Sequence, residues 1–92
     1  MKVKLFANLV DLADERTMDV STEEASTLRE ALEAVFDRAP DLREEVLEDD
    51  GTPCEHINIV VNGNNIAHED EGLERAVEAD DEIAIFPPVS GG

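Results

Sequence analysis

The chain has 92 residues, with 24 Asp and Glu against 7 Lys and Arg and a formal net charge of −17. A chain of this length suits one domain that buries only about 60–65 % of its unfolded surface, which leaves one modest core and little room for a deep active site. So acidic a surface repels phosphate backbones and anionic lipid, which argues against nucleic-acid and membrane-surface binding.

Residues 2–9 predict a first strand, with Val3 and Leu5 on one face and Lys2, Lys4 and Phe6 on the other. Residues 8–16 are polar and broken, as in a turn region, and residues 17–20 predict a short second strand with Met18 and Val20 on one face. A helix follows. Thr27 offers a cap and Glu30, three residues on, can reach back, while Leu28, Ala31, Leu32, Val35 and Phe36 recur at helical spacing. Pro40 stops it, and residues 41–47 predict a further helical turn or two with Leu42, Val46 and Leu47 as the apolar side.

Asp49, Asp50 and Gly51 are turn chemistry, and residues 56–61 give the strongest strand, with Ile57, Ile59 and Val61 on one face. Asn62-Gly63 fits a tight hairpin turn, with Ile66-Ala67 as the return strand. Residues 72–77 predict a short helical turn, and residues 82–86 a last strand with Ile83 and Ile85 together. Pro87-Pro88 ends regular structure ahead of Val89, Ser90, Gly91 and Gly92. Local pattern thus supports an α+β chain, one helix packed on a small sheet.

Composition adds further expectations. Phe6, Phe36 and Phe86 are the only aromatic residues, so Val, Ile, Leu and Ala must build most of the core. Lys2 and Lys4 are the only lysines, and so acidic a composition suits a salt-rich cytoplasm, where screening removes self-repulsion. Cys54 is the only cysteine, which allows no internal disulfide and points to a reducing compartment. No leader pattern opens the chain, and no apolar run approaches the ~20 residues of a membrane span. A cytoplasmic, soluble monomer is expected.

The element order and several short motifs carry a resemblance. These are Lys4-Leu5-Phe6-Ala7 at the start, His56-Ile57-Asn58-Ile59 followed by Asn62-Gly63, and the run from Asp80-Asp81-Glu82 through Pro87-Pro88 to Gly91-Gly92. The chain resembles ubiquitin-like proteins of two related families, the small archaeal modifier proteins and the sulfur-carrying small subunit of molybdopterin synthase. The resemblance implies a ubiquitin-like β-grasp fold over residues 1–86, one main helix on a small mixed β-sheet, with residues 87–92 as a flexible di-glycine tail.

The resemblance also implies that Gly92 is the working end. A terminal carboxylate has a reference pKa near 3.5 and is a poor electrophile at neutral pH, so it must be activated before it can donate an acyl group. In these families a separate E1-like enzyme does this with ATP, so the protein itself is a substrate and carrier with no catalytic residue and no bound cofactor. An isopeptide bond to target-protein lysines, or a thiocarboxylate for molybdopterin synthesis or tRNA thiolation, then follows. The second route would bring in the large subunit of molybdopterin synthase as a partner. Gly91 and Gly92 lack Cβ atoms, which lets an extended tail thread a narrow channel, and Pro87-Pro88 stiffens its root. Lys2 and Lys4 are the lysines through which self-linked chains could form.

Other candidates are weaker. Cys54, His56 and His68 offer one close pair and an orphan where a zinc site uses two pairs, and nothing supplies Cys54 with a base. The acidic runs at residues 48–51 and 69–72 lack calcium-loop spacing, and no glycine-rich phosphate loop exists. Phe6 and Phe86 alternate away from the core-facing Leu5 and Ile85. Since a β-grasp sheet sets its first and last strands side by side, the two rings should meet near the tail. Val60 is expected beside them, and Pro87 to Ser90 complete the expected partner-binding surface.

Overall fold

The computed structural model describes residues 1–55 and 57–87, apart from the side chain of His68. Five strands form one sheet: β1 (Lys2–Leu5), β2 (Thr17–Asp19), β3 (Asn58–Val61), β4 (Asn64–Asn65) and β5 (Glu82–Phe86). The strand order is β2-β1-β5-β3-β4. The central pair, β1 and β5, is parallel, and every other pairing is antiparallel. One main helix on a small mixed sheet is therefore the arrangement found.

That helix is α2 (Leu28–Arg38). Thr27 Oγ1 accepts from the Glu30 backbone N–H, and Glu30 Oε1 in turn accepts from the backbone and hydroxyl of Ser26. The start of the helix is thus satisfied from both sides. Leu28, Ala31, Leu32, Val35 and Phe36 are all buried and share one core with Val3, Leu5, Ile59, Val61, Ile83 and Ile85 from the strands. Each large side chain so buried contributes about 1.5–3 kcal/mol. Past Pro40 the chain forms α3 (Leu42–Val46), whose Leu42 and Val46 are fully buried.

Several expectations need correction. The first strand ends at Leu5, and the region read as a turn contains a helix, α1 (Asn8–Ala13). Ala7 turns the chain at φ 55° and ψ −133°, and the Leu9 N–H donates to the Phe6 carbonyl across that turn. Leu9 is fully buried, with Val10, Leu12 and Ala13 packed against the core, so tertiary burial holds a six-residue helix that propensity alone would not. The return strand is Asn64–Asn65, and Ile66-Ala67 lies in a 3₁₀ turn over Ile66–His68. Asn62 and Gly63 both take positive φ, 51° and 87°, so the two-residue loop pairs Asn64 with Val61 at once. The strand read from residue 56 begins at Asn58, and the turn read over residues 72–77 is a 3₁₀ turn at Gly72–Glu74. Among the described residues, no helix is long and apolar enough to cross a membrane.

Candidate functional site

Alternation sends Val3 and Leu5 of β1, and Ile83 and Ile85 of β5, into the core, and leaves Lys2, Lys4, Phe6, Glu82, Ala84 and Phe86 on the outer face. The parallel register pairs Lys2 with Glu82, Lys4 with Ala84 and Leu5 with Ile85. Continued one step, it sets Phe6 beside Phe86. Their rings stack with centroids 4.3 Å apart and planes 15° apart. They are the large hydrophobic side chains most open to solvent among the described residues, at 38 % and 36 % exposure. Among the described residues, neither α3 nor any other element buries them.

Val60 pairs with Ala84 on the neighbouring strand and is half-buried on the same face, one row from Phe86. Pro87, also half-buried, follows directly on β5. The aromatic pair therefore sits where the chain leaves the sheet. Pro88, Val89, Ser90, Gly91 and Gly92 lie outside the described residues. Sequence reasoning missed the flank that α1 supplies: a shallow depression of about 430 Å³ beside Phe6, walled by Val10, Asp11 and Arg16.

Charge on this face is ordered. Lys4 Nζ lies 2.7 Å from Glu82 Oε1, and this hydrogen bond, then the Lys4 charge itself and the nearby Lys2, hold the Glu82 carboxyl below its usual range. Lys2 is exposed and makes no ion pair among the described residues.

At the far end of β5 lies a second unanticipated feature. Asp81 is the one buried charged residue in the described part of the chain. Its oxygens accept from Asn62 Nδ2 and from the Glu78 backbone N–H, both at 2.8 Å, while Asn62 Oδ1 accepts from the Glu82 N–H. Burial, the largest single influence, pushes the Asp81 carboxyl up; these hydrogen bonds, with the charges of Arg75 and the Met1 amine, together outweigh it and leave the group below its ordinary value. Asp81 locks the β3–β4 turn to the start of β5. Its hydrogen bonds occupy the oxygens that, with Glu78 and Asp80, come within 4.8 Å of one another. No sequence signal marks such a pair, since its partners stand 19 residues apart.

The other candidates fall into structural roles. Burial, and then the charges of Glu48 and Glu45, push the Cys54 thiol up, away from the thiolate a nucleophile needs. His56 and the His68 side chain lie outside the described residues. Asp50 closes a turn by accepting from the backbone and hydroxyl of Thr52, and Glu69 pairs with Arg75 at 3.0 Å.

Comparison with known proteins agrees with this geometry. The ThiS family profile matches residues 3–92. Small archaeal modifier protein 1 of Haloferax volcanii is 42 % identical over 92 residues, covering the whole of both chains. The crystal structure of that relative superposes with a TM-score of 0.85 at 41 % identity, over 100 % of this chain and 98 % of the other. The solution structure of small archaeal modifier protein 1 from Methanosarcina acetivorans also gives 0.85, at 40 % identity over 99 % and 94 % of the two chains. The fold is thus the ubiquitin-like β-grasp, and the chain belongs to the ThiS family, among the ubiquitin-like modifiers that resemble small archaeal modifier protein 1.

Proposed function

We propose that this chain is a protein modifier whose Gly92 carboxylate is adenylated by an E1-like enzyme and then joined to lysines of target proteins. The observation that carries the reading is the end-to-end likeness to small archaeal modifier protein 1. In the first step a carboxylate oxygen attacks the α-phosphorus of ATP and pyrophosphate leaves. A lysine amine then attacks the acyl carbon, a C–N bond forms, and AMP departs with the electron pair of the broken C–O bond. The chain supplies the acyl group, and the enzyme supplies the ATP site. Phe6 and Phe86, half-exposed at the base of the tail, form the apolar anchor that docks on that enzyme, with Val60 and Pro87 at its margin. Pro88, Val89 and Ser90 continue that contact along the tail.

Deleting Gly91 and Gly92 tests the reading. Adenylation and conjugation should disappear while thermal unfolding stays nearly unchanged, because the deletion lies beyond β5. Conjugation that survives the deletion overturns it.

The ThiS family match favours a second use of the same carboxylate, as a sulfur carrier. There sulfide displaces AMP and leaves a thiocarboxylate on Gly92, for transfer on the large subunit of molybdopterin synthase or to tRNA. Intact-protein mass spectrometry of the purified chain separates the two, since the thiocarboxylate replaces one oxygen by sulfur.

A further inference from the structure

The chain presents three amines to an acyl donor, Met1, Lys2 and Lys4, and the fold treats each differently. The Met1 amine is buried and donates to the Val20 carbonyl at 2.8 Å, in line with the β1–β2 ladder. Reaching it means opening that edge of the sheet. Lys4 Nζ is held 2.7 Å from Glu82 Oε1, a contact that directs the nitrogen at that carboxylate. An amine attacks a carbonyl only with a free lone pair, so that ion pair must break first. Lys2 is exposed and carries neither restraint among the described residues.

Position separates the two lysines as well. Lys4 occupies the row of Ala84 and Val60, directly next to the Phe6–Phe86 stack. Lys2 lies a further row away, four residues or about 13 Å along β1 from Phe6. A domain attached at Lys4 would sit over the aromatic pair, whereas one attached at Lys2 leaves it clear.

We propose that Lys2 is the site at which this chain is itself acylated, by the activated C-terminus of a second copy. The inference rests on the modifier reading. In the step, unprotonated Lys2 Nζ attacks the carbonyl carbon of the second copy's acyl adenylate. The C–N bond forms, the C–O bond to AMP breaks, AMP leaves with its electron pair, and the amine proton passes to solvent. Each unit of the resulting chain keeps its Phe6–Phe86 face open for a further partner.

Two measurements decide it. The purified chain is first treated with limiting acetyl N-hydroxysuccinimide ester and its peptides are mapped by mass spectrometry. Lys2 should acetylate about two- to fivefold faster than Lys4, as an exposed ion pair allows, and well ahead of Met1. Glu82→Gln should bring Lys4 up towards Lys2. This arm reads the amines alone, and a Lys4 or Met1 rate matching that of Lys2 overturns the inference. In cells that express the full chain with its activating enzyme, Lys2→Arg should remove self-linked species and keep single conjugates on other proteins, while Lys4→Arg keeps both. Self-linked species that persist in Lys2→Arg, or their absence from the unsubstituted chain beside normal single conjugates, overturn the inference and leave the modifier reading standing. Absence of every conjugate takes both down.

Discussion

Phe6 and Phe86 stand side by side because β1 and β5 run parallel in register, and their rings stack at 4.3 Å outside the core. Two large apolar rings at more than a third exposure contribute less to folding than a buried one. Phe36, at 5 % exposure on the core stripe of α2, is the internal reference. Phe36→Ala should cost about 3–5 kcal/mol in urea unfolding. Phe6→Ala and Phe86→Ala should each cost about 1–2 kcal/mol, with a coupling of about 0.5–1.5 kcal/mol in the double variant from lost stacking. Each should also weaken binding to the activating enzyme by roughly thirtyfold, the effect of about 2 kcal/mol. If either unfolds the protein as badly as Phe36→Ala, the pair is core and the docking reading fails.

Asp81 predicts an acid-sensitive lock. Its folded-state pKa is lowered, so its contribution is present above the unfolded value, near 3.9, and fades as pH falls through the folded one. Asp81→Asn keeps one acceptor and loses the other, and should cost about 1–3 kcal/mol at pH 7. The deficit should shrink below about pH 4, where the parent loses the same interaction. Unfolding free energies measured from pH 3 to pH 7 give this directly. A deficit constant across the range would assign the loss to shape and leave charge out of it.

Ala7 predicts the opposite sign. Its φ of 55° with ψ of −133° lies where a Cβ is poorly tolerated, and such strain costs about 1–3 kcal/mol. Glycine relieves it but loses about 0.5–1 kcal/mol in chain entropy. Ala7→Gly should therefore stabilise by about 1 kcal/mol and raise Tm by some 4–8 °C. Ala7→Val should destabilise, since branching at Cβ worsens the clash. A loss of stability in Ala7→Gly would show that the turn is unstrained.

How far the sequence could be read follows from the same residues. Alternation in β1, β3 and β5 and the stripe of α2 were legible because each repeats a period over enough residues to count. The outward placement of Phe6 and Phe86 came from that alternation, and their proximity from the parallel register that the resemblance implies. Helix α1 was hidden because its six residues span under two turns and no side chain caps its start. The return strand was displaced because Ile66 looks like a strand residue and Asn64 does not. Turn geometry decides the pairing there, and Ile66 is turned inward to 6 % exposure. The link between Asn62 and Asp81 exists only in the folded chain.

Salt supplies the last prediction, and here two effects oppose each other. Added KCl weakens the exposed ion pairs of Lys4, Arg29 and Arg38 and the half-buried pair of Arg75, each worth at most about 1 kcal/mol. It also screens a net charge of −17 confined within a radius of gyration of 12.0 Å. Two like charges about 12 Å apart in water repel by about 0.3 kcal/mol, and 17 uncompensated charges make well over 100 such pairs, roughly speaking. Unfolding relieves only part of that repulsion, yet even a tenth of it exceeds what the ion pairs lose. Stability should therefore rise with KCl, by about 2 kcal/mol or more, which is about 10 °C in Tm for a domain of this size. The shape of the rise identifies its cause. The Debye length falls from about 30 Å at 0.01 M to about 10 Å at 0.1 M and about 3 Å at 1 M, so screening acts mostly below 0.5 M. Thermal unfolding followed from 0.01 M to 2 M KCl, with sucrose at matched osmolality as the uncharged control, should climb steeply at first and then flatten. A flat response throughout would remove self-repulsion, and with it the salt-rich setting inferred from composition.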